Sequence, residues 1–462
     1  MLKNTQFNKH NVLILGYAMT GKSVAEFLLE QGANITINDR GDLSQDPSVT
    51  LLLDQGAKVV SGGHPVELLE ESFDYIVKNP GIPYSIPMIQ AAIEKNIPIY
   101  TDVELASWIS EAAIIGVTGS NGKTTTTSLI HQFLTYREEG HAYLAGNIGV
   151  PSLEVARLAQ AKDDMIIELS SFQLMGTEKL RPKIAVICNI YEAHLDYHGS
   201  RDEYVAAKLK IVANLSAKES IVYNYDQEEL RDWLSDSQAQ AVPFATETID
   251  EFVKAAGAYL EDGRLFFKGE VVANIEDIQI PGAHNIENVL AAIAVAKLKG
   301  ISNVNIQEAL RLFNGVPHRI QPIGQFKERR FFNDSKATNM TATITALKSF
   351  QAPIVYIGGG LDRGNEFDEL IPYLTHVKAA FLYGETKEKM ANAFKHVGTP
   401  SIEILEDLTS ATEAAYRAAE KGDTVLLSPS CASWDQFKTF EIRGQLFVDV
   451  IRKLIANEPY QD

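Results

Sequence analysis

The chain has 462 residues, 45% of them hydrophobic and 22% charged, an ordinary globular composition too long for one hydrophobic core, so two to four domains are expected. A formal net charge of −18 argues against sequence-independent nucleic-acid binding and against an anionic membrane surface as partner, but not against small anionic substrates, because local loops outweigh a global field. Two cysteines, Cys188 and Cys431, exclude a disulfide framework; with a polar N-terminus, no zinc-like spacing and no apolar run long enough to span a bilayer, they point to a cytoplasmic protein without membrane insertion.

Short Val/Ile/Leu runs alternate with helical periodicity along the whole chain, which predicts an α/β fold of parallel sheets with helices on both faces. Three units are expected, 1–101, 102–316 and 317–462. The first opens with strand Asn11–Leu15, the turn Gly16-Tyr-Ala-Met-Thr-Gly21 and a helix through Leu29. Strand Asn34–Asn38 then ends at Asp39-Arg40, and further strands are expected at Lys58–Val60, Tyr75–Val77 and Pro98–Tyr100, a Rossmann-like pattern. Gly16-x-Ala18-x-x-Gly21 is a weakened dinucleotide fingerprint, with alanine where backbone must approach a pyrophosphate. Three readings stay open here: a nicotinamide dinucleotide with Asp39 on its ribose, another nucleotide such as a UDP-sugar, or a tight turn without a ligand. Asn79-Pro-Gly-Ile82 follows another strand and belongs at the same sheet edge.

The second unit carries the most informative string, Gly116-Val-Thr-Gly-Ser-Asn-Gly-Lys-Thr-Thr125, between an apolar run and a helix. In that context backbone N–H groups and the helix N-terminus meet a phosphate, a lysine reaches the terminal phosphates, and a hydroxyl holds the metal. Gly119, Ser120, Asn121 and Gly122 would form the cradle, Lys123 would be the phosphate lysine and Thr124 the Mg²⁺ ligand, with Thr125 beside it. Val117 stands where the strict P-loop spacing has glycine, so the loop is a variant. Strands are expected at Met165–Ile167, Ile184–Cys188 and Ser220–Tyr223, then an antiparallel hairpin turning at Glu261-Asp-Gly-Arg264, then a helix from about Asn285 to Leu298. Glu168 ends a strand beside the loop, as a second Mg²⁺ ligand or as a solvated surface acid. Glu192, His194, Asp196 and His198 share a loop that is either a metal site or ordinary polar surface. Ser200 reads as an N-cap, and Lys208 by itself reads as a surface helix lysine, with Ala206 and Ala207 leaving room for something to approach. Pro281-Gly-Ala-His-Asn285 opens the later helix and carries Asn288 one turn on.

In the third unit strands are expected at Phe331–Asn333, Ile354–Ile357, Ala379–Leu382, Ile402–Ile404 and Thr424–Leu427, alternating with helices as a second doubly wound domain. Pro317-His-Arg319 and Asn333-Asp-Ser-Lys-Ala-Thr-Asn339 concentrate polar side chains at a strand end. From Leu427 to Gly444 small residues end a strand and open a helix, where free N–H groups and Ser433 would hold a carboxylate or simply cap the helix.

Gly-Ser-Asn-Gly-Lys-Thr after a strand resembles the loop of the ATP-dependent Mur ligases and of their folylpolyglutamate synthase relatives. Together with Asn333-Asp-Ser-Lys-Ala-Thr-Asn, Ser428-Pro-Ser-Cys-Ala-Ser-Trp-Asp-Gln-Phe and Asn79-Pro-Gly-Ile, in this order, it makes the whole chain similar to the Mur ligase family, in its D-glutamate-adding branch. The resemblance implies a Rossmann-like N-terminal UDP-sugar domain, a central P-loop ATPase-type domain with a parallel sheet plus a small antiparallel sheet, and a C-terminal doubly wound, Rossmann-like domain that takes the amino acid. It implies a monomeric ligase of peptidoglycan precursor synthesis that joins D-glutamate to UDP-N-acetylmuramoyl-L-alanine through an acyl phosphate, with ATP and two Mg²⁺ ions. By the same resemblance Met19, Thr20, Asp39, Arg40 and Asn79 would contact the uridine diphosphate. Lys123, Thr124 and Glu168 would serve the ATP phosphates and the first Mg²⁺, and His194 the second together with Lys208 as a carbamate. Asn147 and Ser170 would position the acyl end; Asn288, Arg319 and Asp334 would hold adenine and ribose; Lys336, Thr338, Ser433 and Phe440 would form the D-glutamate pocket, with Arg363 where some members carry lysine. The rivals are another ligase of the Mur or folylpolyglutamate synthase type, a P-loop NTPase switch, and a nicotinamide oxidoreductase resting on the Gly16 turn alone.

Overall fold

The structure, a computed structural model, describes residues 7–148, 150–351 and 353–458. Gly149 lies outside the described residues, as does the side chain of Asp196. Three α/β domains are each built on one sheet. The first sheet contains β1 (Asn11–Leu15), β2 (Asn34–Asp39), β3 (Lys58–Ser61), β4 (Tyr75–Lys78) and β5 (Ile99–Tyr100), all parallel, in the order β3-β2-β1-β4-β5. The chain leaves β1 to one side and later returns on its other side. That reversal opens a crevice at the carboxyl ends of β1 and β4, where ligands bind in such sheets.

The second sheet contains β6 (Ala113–Thr118), β7 (Ala142–Gly146), β8 (Asp164–Glu168), β9 (Ile184–Ile187), β10 (Ser220–Asn224), β11 (Gln240–Ala245), β12 (Ala258–Glu261), β13 (Arg264–Phe267) and β14 (Glu270–Asn274), in the order β14-β13-β12-β11-β10-β9-β6-β8-β7. β6 lies between β8 and β9 and is buried on both faces, which suits its unbroken apolar run. The expected hairpin is present, with Glu261 opposite Arg264 and Asp262 and Gly263 at φ 49° and 73°. The antiparallel part does not stand as a separate small sheet. β12 pairs in parallel with β11, Phe244 against Ala258, so β13 and β14 continue the same sheet as its antiparallel end.

The third sheet contains β15 (Gln321–Phe326), β16 (Arg329–Asn333), β17 (Ile354–Gly359), β18 (Val377–Tyr383), β19 (Ser401–Ile404) and β20 (Thr424–Leu427), in the order β15-β16-β20-β17-β18-β19 with only β15 antiparallel. β15 was not expected, and its Pro322 and Gly324 show why: both weaken a strand and are tolerated at a sheet edge. The helix expected to open near Ser433 begins only at Phe440, where Thr439 caps the N–H of Ile442. Separate apolar layers cover the two faces of the first and third sheets. By density of contacts the first two sheets, through Ile275 and with Glu287–Ala309, form one compact unit; Glu276–Ile286 and the chain from Leu310 onward form the other. Among the described residues no helix is long and apolar enough to cross a membrane.

Candidate active site

The glycine loop lies at the carboxyl end of β6, between that strand and helix Lys123–Leu134. Gly122 is the helix N-cap at φ 82°, a left-handed value that favours glycine, and a Cβ there would come within 2.2 Å of Asn288 Oδ1. A Cβ on Gly119 would meet Cys188 Cβ at 2.9 Å and the Asn121 carbonyl oxygen at 3.0 Å. Asn189, one residue beyond Cys188, braces the loop: its carbonyl accepts from Ser120 N and its Oδ1 from Asn121 N, each at 2.9 Å. The Ser120 hydroxyl is engaged with the backbone of Tyr191 and with the Tyr204 hydroxyl at 2.8 Å. Lys123 Nζ donates to the carbonyls of Gly119 at 2.7 Å and Ser120 at 3.0 Å. Thr124 and Thr125 are buried in the first helical turn. Asn288, buried in helix His284–Leu298, accepts from Thr126 Oγ1 at 3.2 Å.

Two residues that read as surface side chains are buried beside this loop. Lys208 is 1% exposed, with Nζ donating to the Gly119 carbonyl at 2.7 Å and lying 4.9 Å from the centre of the Tyr204 ring. Two lysine amino groups therefore share one carbonyl oxygen, that of Gly119. Burial pulls the Lys208 pKa well below the usual lysine value, the positive charge of Lys123 adds to this, and Cys188 and Glu168 oppose it. Glu168, at the end of β8, is also 1% exposed. Its Oε1 accepts from Asn147 Nδ2 at 2.7 Å, while its buried Oε2 has no hydrogen-bond partner among the described residues. A buried carboxylate oxygen left without a donor is costly, and a cation is what such a group accepts. Ser170 caps helix Ser171–Met175 in a reciprocal box with Gln173, so its hydroxyl already has a local role.

His194 is exposed and stands at φ 55°, as the N-cap of the short helix Leu195–His198. Phe172 lies under it, with ring centroids 5.0 Å apart, and also stacks on His198 at 5.4 Å. His198 is buried and bonded to Ser171 Oγ at 2.9 Å, which makes it a support inside the protein. Among the described residues no three His, Cys, Asp or Glu side chains are placed together to hold a metal.

In the first sheet, Gly16 has φ 93° and lies so close to Asn79 that a Cβ would be 2.8 Å from Asn79 Cβ. Asp39 turns its carboxylate into the crevice wall, accepting from Tyr17 N at 2.6 Å and Gly41 N at 2.7 Å. Met19 and Arg40 are exposed, and Thr20 and Asn79 are half-buried at the same carboxyl edge. Lys78, which no motif singled out, is completely buried at the end of β4, and burial lowers its pKa to about 7.

In the third sheet Asp334 is buried, accepting from Ser428 Oγ at 2.8 Å and Ile320 N at 3.1 Å, and burial pushes its pKa up to about 7. Asn333 bonds to His318 Nδ1 at 2.9 Å. Arg443, missed in the sequence, is fully buried in helix Phe440–Asn457 and donates to the Ser335 hydroxyl and carbonyl. Lys336 Nζ lies 5.8 Å from the Phe440 ring centre, so two residues of the expected amino-acid pocket are adjacent. Thr338 N bonds the Lys336 carbonyl, Ser433 is buried in a turn before the helix, Arg319 is half-buried, and Arg363 stacks on Trp434 at 5.0 Å.

A glycine loop on a central parallel strand, two lysines converging on it and a buried carboxylate beside it define a nucleotide-dependent α/β enzyme. Family models for the Mur ligase middle domain, the Mur ligase glutamate ligase domain and the Mur ligase MurD-like N-terminal domain match residues 117–296, 318–431 and 10–101. The chain belongs to the Mur ligase family. It is 53% identical over 450 residues to the UDP-N-acetylmuramoylalanine--D-glutamate ligase of Latilactobacillus sakei, covering 97% of this chain and 98% of that one. It is 50% identical over 460 residues to the enzyme of the same name from Enterococcus faecalis, covering 99% of this chain and all of that one (100%). Among solved structures, UDP-N-acetylmuramate-alanine ligase from Thermotoga maritima shares the fold at a TM-score of 0.58 and 17% identity, covering 96% of this chain and 100% of that one.

Proposed function

We propose that the chain is a cytoplasmic, monomeric ATP-dependent ligase that adds D-glutamate to UDP-N-acetylmuramoyl-L-alanine in peptidoglycan precursor synthesis. The observation that carries this reading is the Gly119–Thr124 loop with Lys123 and Lys208 gathered on it, in a chain similar over nearly its whole length to D-glutamate ligases of that name. In this reading residues 1–101 take the UDP-sugar through Met19, Thr20, Asp39, Arg40 and Asn79. Residues 102–316 take ATP, with Asn288 contributing to the nucleotide site. Residues 317–462 take D-glutamate through Lys336, Thr338, Arg363, Ser433 and Phe440, and Arg319 and Asp334 are their nucleotide-binding residues.

A carboxylate resists attack by an amine because oxide is a hopeless leaving group. Attack of the muramoyl-alanine carboxylate on the γ-phosphorus of ATP, with ADP leaving, gives an acyl phosphate. The amine of D-glutamate then attacks its carbonyl carbon, and phosphate leaves with the bonding electrons. Lys123 and the backbone N–H groups at the start of helix Lys123–Leu134 offset charge on the transferring phosphoryl group. Asn147 and Ser170 hold the acyl end. The unpartnered Glu168 Oε2 and the buried Thr124 suit Mg²⁺, a hard cation that takes few protein oxygens and fills its remaining positions with phosphate and water. Thr124, Glu168, His194 and Lys208 would hold two Mg²⁺ ions, which supply charge neutralisation when bound. Lys208 would join this set as a carbamate. Its burial supports that reading, because it favours the neutral amine, the form that adds CO₂.

The test is phosphate release with UDP-N-acetylmuramoyl-L-alanine and ATP, D-glutamate against L-glutamate. Turnover with D-glutamate alone is expected, with a new amide in the product. ATP consumption at the same pace without either partner, and no amide, overturns the reading. Near-normal turnover in Lys208→Ala overturns the carbamate role.

A further inference from the structure

Lys78 ends β4, and the loop that follows it, Asn79-Pro-Gly-Ile82, forms one wall of the crevice beside the Gly16 turn. Its side chain is 0% exposed, and no carboxylate is within ion-pair distance among the described residues. Instead the ammonium is surrounded by oxygens of lesser charge. Nζ donates to the carbonyls of Asn79 and Pro80, both at 3.2 Å, to that of Ile82 at 2.7 Å, and to the Tyr197 hydroxyl at 3.3 Å, with the Tyr84 ring centre 4.7 Å away. The Tyr197 hydroxyl donates to the same carbonyls, Pro80 at 3.1 Å and Ile82 at 2.9 Å. Three peptide carbonyls thus point inward, away from the crevice, and one cation and one phenol hold them there. An uncompensated buried charge is costly, so a strand end with no task would be better served by an apolar side chain.

The far end of this arrangement reaches the chemistry. The Tyr197 ring packs on Phe172 with centroids 4.3 Å apart, and Phe172 lies 5.0 Å from the His194 ring. Tyr197 belongs to the helix that His194 caps.

We propose that Lys78 is a positioning residue for the sugar nucleotide: by gathering the carbonyls of residues 79–82 and the Tyr197 hydroxyl, it fixes the loop that carries Asn79 and ties it to the segment that carries His194. The assignment rests on the function proposed above. Without the ammonium the inward carbonyls lose their donor and the loop loses the conformation in which Asn79 faces its ligand. ATP and D-glutamate, held by other residues, are unaffected.

The test compares wild type with Lys78→Met, which keeps the stem and removes the charge, and with Tyr197→Phe, which removes one hydroxyl. Calorimetric titration with UDP-N-acetylmuramoyl-L-alanine in the absence of ATP is paired with separate KM measurements for all three substrates. For Lys78→Met the sugar-nucleotide Kd and KM are expected to rise about tenfold and the ATP and D-glutamate KM values to stay within about twofold, since a misplaced binding loop costs its own ligand first. Tyr197→Phe should show the same selectivity at about threefold. Unchanged sugar-nucleotide affinity in folded Lys78→Met, or an equal rise for all three substrates, overturns the proposal. If Lys78→Met does not fold, unchanged affinity in Tyr197→Phe overturns it. A wild type that binds no sugar nucleotide sinks the proposed function itself, a result separate from either variant.

Discussion

The turns after β1 and after β6 share a backbone plan: a parallel strand inside its sheet, a glycine turn, then a helix of 12 residues. Their charges differ. Beside the first turn the protein supplies its own anion, because the Asp39 carboxylate takes the N–H groups of Tyr17 and Gly41. Beside the second it supplies amines, because Lys123 and Lys208 meet on the Gly119 carbonyl. In the first turn only the Tyr17 amide is given to that carboxylate, and a carboxylate so held can also accept from the hydroxyls of a sugar or nucleoside. A turn that opens a helix with free backbone N–H groups and carries the Lys123 amine is made for phosphates. Backbone geometry alone assigns neither ligand; the side chains around the amides separate the two.

The strongest way to break this contrast is at the cationic turn. Lys123→Ala should lower turnover by about 10³-fold, as loss of a charged donor to a transferring group does, and stopped-assay phosphate release checks it. Glycine substitutions come next, because each turn should fail toward its own ligand. Gly122→Ala places a Cβ 2.2 Å from Asn288 Oδ1 at φ 82°, and kcat/KM for ATP should fall by about 10²-fold. Gly16→Ala places one 2.8 Å from Asn79 Cβ at φ 93°, and the KM for the sugar nucleotide should rise about tenfold with that for ATP unchanged. If Gly16→Ala instead moves the ATP KM, the two turns are not independent. Asp39→Asn should weaken sugar-nucleotide binding about fivefold by titration calorimetry, since a charge-assisted acceptor becomes a neutral one.

The smallest effect is expected away from both turns, at Asp102. This buried carboxyl accepts from Ser152 N at 3.0 Å, its Oδ1 has no partner among the described residues, and burial raises its pKa to about 6 from the ordinary 3.8. A folded-state pKa above the unfolded one means that its contribution to stability is complete below the unfolded value and is lost as pH rises through about 6. Asp102→Asn removes that loss. Its melting temperature should match wild type near pH 4 and exceed it by about 1–3 °C at pH 8, measured by differential scanning fluorimetry.

The strand–loop–helix elements around both turns were legible because their signals are local. Apolar runs, glycines and a lysine at fixed spacing placed β1 at its observed bounds and located β6 and the helices after both strands, and Ser200 caps its helix as its sequence suggests. What escaped was decided by packing between distant segments. Lys208 looks like a solvated helix lysine because its own helix is polar; it is buried because Tyr204 and the Gly119 carbonyl, far apart in sequence, close over it. Glu168 was ambiguous for the same reason. Arg443 and Lys78 belong to no motif. A signal for Lys78 existed in the apolar stretch Tyr75–Val77 before it, which marks an interior strand whose next residue is also inside. In the third unit the polar string 333–339 was legible as a cluster of polar side chains at a strand end, but Ser433, read as a possible helix cap, lies six residues before the observed cap, Thr439. Ser430, at φ 60°, and Thr439 set that boundary, and small residues between them obscure it.

Cys188 is fully packed behind the phosphate loop, its Cβ against the place where Gly119 lacks one, its Sγ donating to Thr126 Oγ1, and its thiol pushed up to about 11 by burial. A thiol so placed is neither ionised nor reachable at neutral pH, so oxidants and alkylating agents pass it by while the loop stays closed. Modification of Cys188 in the folded protein therefore requires the packing of the loop against it to open.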